Sequence, residues 1–531
     1  MDPDRVMKLL AMGLYVAVLL GIGVAASRRM RDMRDYFVGG KRMGFLAVAF
    51  SARATGESAW LLLGLTGFGA FFGVKGLWIV LGELIGVGAA WLVLSRRFKR
   101  LSDRYDSVTI PDYLESRFRD SGHWLRLIAA GSLMVFVPIY VSAQIHATGD
   151  AFEYFLGWDY YWGAIAGFLI VLVYVTGGGF VAVVWSDVFR GLMMVAGLVA
   201  LPLVGIAAAG GAGPIVETLR EAHPEHLSLT GGEGWNLLSI VGIVALVGIG
   251  LGFMGSPQVF VRFLALRSER EIGRGAAVAL AWTLLADTGA VLIGIVGRAL
   301  LEGRLGTNGE SVLPMMVDAY LPAFVAGLYI AVVLAAIMST IDSLLVVASS
   351  AAVRDYYQKT WHPEAPDASL VRMSRTLTLA MAGVALAIAM AVSFVPPSAE
   401  EIALAEAEGR DPSRPGIFWF VIFGWSGIAA TFCPTIILSL FWRGMTGLGA
   451  KSAMVAGFAS VPVFKFLMPL LPGTAGAVFA ALEELAPAFL VSGVVGVVVS
   501  LADRRGRERL AGIDEELRAA SGQDSPADAP T

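Results

Sequence analysis

The chain has 531 residues, 56% of them hydrophobic and 16% charged, with a net charge of −3 and a mean hydropathy of +0.71. An ordinary soluble domain is about 25% charged, so this composition excludes a water-soluble globular protein and points to one that crosses a bilayer many times. No basic cluster interleaved with aromatics is present, which excludes nucleic acid as a partner, and the single cysteine, Cys433, excludes an intrachain disulfide framework and a cysteine-based metal site.

The apolar residues come in runs of about 20, the length a helix needs to cross about 30 Å of hydrocarbon, and not as alternating ten-residue strands. The expected fold class is therefore all-α, a polytopic membrane bundle of about 13 transmembrane helices. Spans are expected near residues 6–26, 44–72, 76–95, 125–147, 160–176, 184–208, 237–255, 275–299, 322–352, 373–395, 416–441, 450–470 and 478–502. The first run is followed at once by "SRRMRDMR", a stop-transfer flank, so it reads as a retained span. Of the 40 Lys and Arg, 29 fall in 28–42, 96–126, 262–274, 354–375, 443–451 and 504–518. Positive residues collect on the cytoplasmic side, which predicts an outside N-terminus, a cytoplasmic C-terminus and an odd number of spans. The longest outer loops, 210–236 and 397–414, resemble no folded module, although the second has the composition of a surface helix. The tail from Arg504 reads as a short helix followed by disorder.

Two spans are interrupted by small residues. "FSARATGESAW" carries Gly56 among Ala, Thr and Ser, and "VGIGLGFMGSP" brings Gly248, Gly250, Gly252, Gly255 and Pro257. Interruptions five spans apart suggest two inverted five-helix repeats whose broken helices meet near the midplane, where unwound backbone lines a cavity. This divides the chain into a first helix and inner loop (1–43), a first repeat (44–209), a second repeat (210–441), two additional helices (442–502) and a tail (503–531). In the ninth span, Ala336, Ser339, Thr340 and Ser343 share one helix face. Such hydroxyls commonly bond back to their own helix or pack between helices; the alternative is that they face a hard cation, which prefers oxygen ligands.

Several charged residues lie within spans. Asp342 sits one step off that face, Asp187 has Arg190 three residues on, and Arg53 and Glu57 stand four apart in the first interruption. Three explanations of Arg53 remain open: a structural pair with Glu57, a fixed cation that modifies or replaces a bound metal cation, and a grip on an anionic ligand. Glu83, His146, Asp287 and Lys465 are lone polar groups that read as interhelical contacts. "GLGFMG" lies within a span with no strand before it and is no nucleotide loop, and no catalytic constellation appears, so no enzyme is expected.

The stretches "DYFVGGKRMG" (35–44), "SARATGESAWLLLGLTG" (51–67), "TIPDYLESRF" (109–118), "GGFVAVVWSDVFRG" (178–191), "GLGFMGSPQVFVRFLA" (250–265) and "LAAIMSTIDSLLVVASSA" (334–351) resemble the sodium/solute symporter family, in particular its sodium/proline symporters, in order and spacing over residues 6–500. The resemblance implies a leucine-transporter-type bundle of two inverted repeats. It implies that sodium, a coupling ion and not a prosthetic group, is held by the carbonyls of Ala54, Glu57 and Ala336 and the hydroxyls of Ser339 and Thr340. It places the organic solute at Ser58, Trp60, Tyr140, Gly252, Phe253 and Pro257, with Lys41, Arg53, Asp187 and Asp342 in coupling or gating. The chain departs from the family's pattern in several places. The sodium/proline symporters have a small residue at the Arg53 position, an essential aspartate at Gly56 and an apolar residue at Glu57. Phe253 stands where a tyrosine is usual, Ile249 where a tryptophan is usual and Lys41 where an arginine is usual.

The function implied is sodium-coupled symport of a small organic solute, most readily proline or a related amino acid, across the plasma membrane. A proton-coupled or sodium-independent carrier of a small carboxylate on the same fold is the alternative, and a membrane sensor is a third reading that the lack of an output domain disfavours. The expected partners are solute, sodium and the lipid bilayer, with no obligatory protein partner.

Overall fold

A computed structural model describes residues 3–27, 38–301, 304–305, 309–392, 394 and 416–522; for 171 and 173–179 it describes the backbone alone. The expected surface helix in 397–414 and the end of the tail lie outside these residues. Among the described residues, all regular structure is helical, and 11 helices are long and apolar enough to cross a membrane.

In chain order the helices are α1 (Pro3–Ser27), α2 (Phe45–Gly56), α3 (Thr66–Phe72), α4 (Leu77–Gly88), α5 (Ser95–Arg104), α6 (Ile110–Phe118), α7 (Trp124–Leu156), α8 (Tyr160–Ala208), α9 (Ala212–Ala222), α10 (Leu237–Gly248), α11 (Pro257–Ala265), α12 (Ile272–Leu300), α13 (Val312–Tyr320), α14 (Ala323–Ser350), α15 (Asp367–Val392), α16 (Ile417–Phe441), α17 (Gly447–Pro462), α18 (Thr474–Leu482), α19 (Leu485–Ala502), α20 (Arg504–Arg509) and α21 (Ile513–Ser521).

The described helices depart from the expected spans in three places. The spans expected at 160–176 and 184–208 lie within one helical element, α8, of which Phe180–Ala208 is long enough to cross. The span expected at 44–72 is divided, and its second half continues through the turn Gly73–Gly76 into α4 and α5. The span expected at 478–502 is cut at Glu483, whose φ of 56° separates α18 from α19.

Both expected interruptions are breaks in the helix. After α2 the chain is extended at Glu57 (φ −87°, ψ 156°) and resumes as a wide turn over Trp60–Leu65 that leads into α3. A break frees backbone donors and acceptors that buried surroundings must satisfy. Here the Ala59 amide donates to Gln144 Oε1 at 3.0 Å and the Trp60 amide to Ser58 Oγ at 3.3 Å. The second break runs from the 3₁₀ segment Ile249–Met254 through Gly255 to α11. Its freed carbonyls are met in the same manner: Gly252 O accepts from Ser256 Oγ at 2.6 Å and from Cys433 Sγ at 3.4 Å, and Ile249 O accepts from Trp425 Nε1 at 3.1 Å. Cys433 is buried, as expected of a small apolar residue.

The central element is α14, mostly apolar and buried from Tyr329 to Ser350, as a helix enclosed by others must be. Helices α1, α2, α7, α8 and α15 pack on it. Close approach elsewhere depends on glycine: a Cβ on Gly86 of α4 would lie 1.9 Å from the Gly250 carbonyl oxygen, so only hydrogen on both sides lets α4 cross the second break. Gly86→Ala is expected to cost about 1–3 kcal/mol of stability through overpacking. Thermal unfolding in detergent should show a lowered midpoint, whereas Gly131→Ala on α7, where nothing lies within 4 Å, should leave it unchanged or raised.

Candidate functional site

The first break turns its freed carbonyls toward α14. Ser339 Oγ donates to Ala54 O at 2.7 Å and is 2.9 Å from Ala336 O. Thr340 Oγ1 lies 2.6 Å from Glu57 O, 3.3 Å from Thr55 O and 3.3 Å from Ala336 O. Five oxygens from two helices thus converge in a fully buried space: the carbonyls of Ala54, Glu57 and Ala336 and the hydroxyls of Ser339 and Thr340. Of the two readings of the hydroxyl face, bonding back along α14 and facing a neighbour, both occur, because each hydroxyl contacts its own Ala336 carbonyl and the α2 break together.

Arg53 pairs with Glu57, one turn on, and also with Glu83 Oε2 of α4 at 2.8 Å; Asp287 Oδ2 of α12 is 3.9 Å away. Its guanidinium lies 4.7 Å from the centre of the Phe253 ring and 5.4 Å from that of Trp282. All four charged side chains are at most 1% exposed. One cation is therefore shared by three carboxylates from three elements. Glu83 and Asp287 look solitary along the chain; the only signal they offer is an acid inside an apolar span with no local counter-ion.

A second charged network lies on the other side of α2. Asp342 Oδ2 is 2.7 Å from Arg190 Nη1, and Asp187 Oδ1 is 3.4 Å from the same nitrogen. Arg190 therefore binds Asp342 more closely than the aspartate three residues before it. Asp187 Oδ2 also accepts from Ser51 at 2.7 Å and is 3.4 Å from Arg262 Nη2. Arg262 reaches further, to Thr55 Oγ1 at 2.6 Å, Ser343 Oγ at 2.5 Å and Ser51 Oγ at 3.1 Å. The sequence reading counted Arg262 with an inner segment; it is buried in α11 and is central to this network. Two aspartates face two arginines here, so the charges balance, unlike the Arg53 cluster.

Between the two breaks, Gly56, Trp60, Glu83, Tyr140, Ile249, Phe253, Val421, Ile422 and Trp425 enclose about 190 Å³ of space between atoms, none of it wide enough to centre a water molecule. The hollow is closed in this conformation. Gly56 is required by its neighbour, since a Cβ there would lie 2.5 Å from Phe253 Cε1. Ser58 sits behind the wall, where its hydroxyl accepts from Gln144 Nε2 at 3.1 Å and bonds to Tyr140. Gly252 reaches the wall through Trp425, whose indole occupies the place of its missing side chain. Gln144 and Trp425 were not singled out from the sequence.

Two expected site residues lie elsewhere. Pro257 lines a different hollow with Thr109, Pro111 and Val347, because it starts α11 on the far side of the second break. Lys41 is held in the connection before α2 by Asp103 at 3.0 Å and the Ser102 carbonyl at 3.5 Å. The remaining solitary groups are interhelical contacts or local pairs. His146 Nδ1 is 2.7 Å from Tyr160 Oη, and Lys465 pairs with Glu483 and Glu484 at 2.7 and 3.3 Å.

Comparison with known proteins accounts for most of the chain. The profile described as the sodium:solute symporter family matches residues 36–457. The high-affinity proline transporter PutP of Bacillus subtilis (strain 168) is 35% identical over 466 residues, covering 86% of this chain and 93% of its own. The sodium/proline symporter of Escherichia coli (strain K12) is 31% identical over 493 residues, 91% of each. Among solved structures, a Na+-coupled sialic acid symporter in a substrate-bound outward-open state has a TM-score of 0.73 at 19% identity, covering 94% of this chain and 98% of that one. MhsT in complex with L-phenylalanine has a TM-score of 0.51 at 14% identity, covering 87% and 98%. These likenesses show the fold, that of leucine-transporter-type carriers. With the profile spanning most of its length and the relatives nearly all of it, the chain belongs to the sodium:solute symporter family, and is a transporter and not an enzyme.

Proposed function

We propose that the protein imports proline or a closely related amino acid together with sodium. The observation that carries this reading is the convergence of the Ala54, Glu57 and Ala336 carbonyls with the Ser339 and Thr340 hydroxyls, an all-oxygen set suited to a hard monovalent cation. The solute occupies the neighbouring hollow, where Trp60, Tyr140 and Phe253 with Trp425 give it apolar walls. Ser58 and Gly252 shape the walls from behind, and Pro257 acts by ending the break and not by touching solute. The relatives named as proline transporters support the choice of solute; the hollow's aromatic walls suit a compact ring.

Sodium ties the break in α2 to α14, and the solute ties the first break to the second, so each tightens the other's binding by the same factor. We further infer two inverted repeats, 44–209 and 210–441, because the two breaks are built alike, each with its freed backbone answered by side chains of neighbouring helices. The parallel pairing of Met43 with Leu266 joins the start of the first broken element to the end of the second. The distribution of Lys and Arg supports an outside N-terminus and a cytoplasmic C-terminus in the plasma membrane. Asp187 and Asp342 then hold α8 to α14 through Arg190, and Lys41 fastens the inner loop to α5, so all three act on the movement of helices.

For Arg53, the structural pairing is favoured over a grip on the substrate, since its contacts are Glu57, Glu83 and the Phe253 and Trp282 rings. Removing one partner from buried charges costs roughly 3–5 kcal/mol. Arg53→Ala is therefore expected to lower the unfolding midpoint strongly, with part recovered in Arg53→Ala/Glu57→Gln. If Arg53 gripped a substrate carboxylate instead, Arg53→Ala would fold normally and raise the KM for solute.

The direct test is uptake of radiolabelled proline, other amino acids and small carboxylates into proteoliposomes, with sodium and proton gradients imposed separately. Sodium-driven proline uptake is expected; uptake driven by protons and indifferent to sodium would overturn this reading in favour of the proton-coupled alternative. In the same assay Ser339→Ala and Thr340→Ala each remove a ligand worth about 1.5–3 kcal/mol, so the sodium needed for half-maximal uptake should rise roughly 10- to 150-fold.

A further inference from the structure

The connection that follows α9 reads His223-Pro224-Glu225-His226 and folds as a single tight turn, Pro224–Leu227. His223 Nδ1 and His226 Nδ1 each lie 3.4 Å from Glu225 Oε1, and one donor atom from each of the three residues lies within 4.8 Å of the others. The side chain of His226 is 4% exposed. Its Nε2 lies 2.9 Å from the Ala70 carbonyl oxygen. A carbonyl has no proton to give, so Nε2 carries the ring proton and Nδ1 turns its lone pair toward Glu225 and His223. That buried Nδ1 has no hydrogen-bond partner. A buried acceptor facing a carboxylate, which is also an acceptor, suits a cation between them.

Two of the spacings match a small tetrahedral cation. Zinc bonds nitrogen and carboxylate oxygen at about 2.0–2.2 Å, and a tetrahedron with such bonds has edges of roughly 3.3–3.5 Å. Both measured edges are 3.4 Å. The Ala70 carbonyl supplies the hydrogen bond that fixes the tautomer and ring orientation of a metal-binding histidine.

We propose that His223, Glu225 and His226 form a three-ligand site for a divalent transition-metal ion of the zinc type, with its fourth position open to water. The site lies on the face that the proposed topology puts outside. Its location gives it leverage on transport: Ala70 belongs to α3, the outer half of the broken helix, and the backbone of His226 packs directly on the Gly73 turn that ends α3. An ion there fixes the external connection onto α3.

The test uses the full chain without an affinity tag, purified in detergent, with zinc chloride as the probe and magnesium chloride as the control. Equilibrium dialysis with elemental analysis should give one zinc per chain, and zinc but not magnesium should raise the unfolding midpoint. His223→Ala and Glu225→Gln, both at partly exposed side chains, should weaken zinc binding by at least about tenfold with the metal-free midpoint unchanged. Absence of saturable zinc binding by the unmodified chain would overturn the proposal. So would a His223→Ala chain that binds zinc with unchanged affinity and stoichiometry.

Discussion

The structure depends on one constraint: a helix interrupted inside a membrane protein must find partners for the peptide groups it exposes. Each unsatisfied group in such surroundings costs several kcal/mol. At the first break the exposed carbonyls meet Ser339 and Thr340, and the exposed amides meet Gln144 and Ser58. Apart from Ser58, which lies in the break itself, those partners come from α7 and α14, so the break holds these helices in register with α2. Because the same carbonyls and hydroxyls are good ligands for a small hard cation, the device that makes the break tolerable is also the device that can bind sodium. An ion entering between them would exchange hydrogen bonds for coordination without any group losing a partner.

The buried charges follow a related rule. Asp187 and Asp342 are matched by Arg190 and Arg262, and the hydroxyls of Ser51, Thr55 and Ser343 fill the remaining positions. Such a balanced network joins α2, α8, α11 and α14, and it borders the proposed sodium ligands through Thr55. The Arg53 cluster is different, since three acids share one base and Glu83 forms part of the wall of the hollow between the breaks. Changes in the hollow therefore reach the pairing of Arg53, and through Glu57 they reach a carbonyl of the proposed sodium set.

The hollow between the breaks is too narrow in this conformation to centre a water molecule. Its walls come from both broken elements together with α4, α7 and α16. Rocking of the broken elements against the other helices would separate these walls, which is how a carrier of this fold opens to each face in turn.

What the sequence determined by itself is whatever depends on composition and on short-range pattern. Twenty-residue apolar runs fix a helical membrane bundle, because no other open structure hides its backbone in lipid. Glycine and small polar residues in "FSARATGESAW" and "VGIGLGFMGSP" marked both breaks, because local backbone preference acts within a few residues. Helical spacing brought Ser339 and Thr340 onto one face. What only the tertiary structure decided is whatever depends on contacts between distant segments. Glu83 and Asp287 looked solitary because their partner, Arg53, is remote in the chain. Arg262 looked like a surface cation because its spacing to Asp187 and Ser343 has no periodicity to betray it. Pro257 and Phe253 are four residues apart, yet the turn at Gly255 sends one to the hollow and the other behind it. The end of a span was equally illegible where a single backbone angle, at Glu483, cuts an unbroken apolar run. Side-chain pairing across helices is set by packing angles that no local pattern encodes, and for that reason the charged half of the site could be read only from the fold.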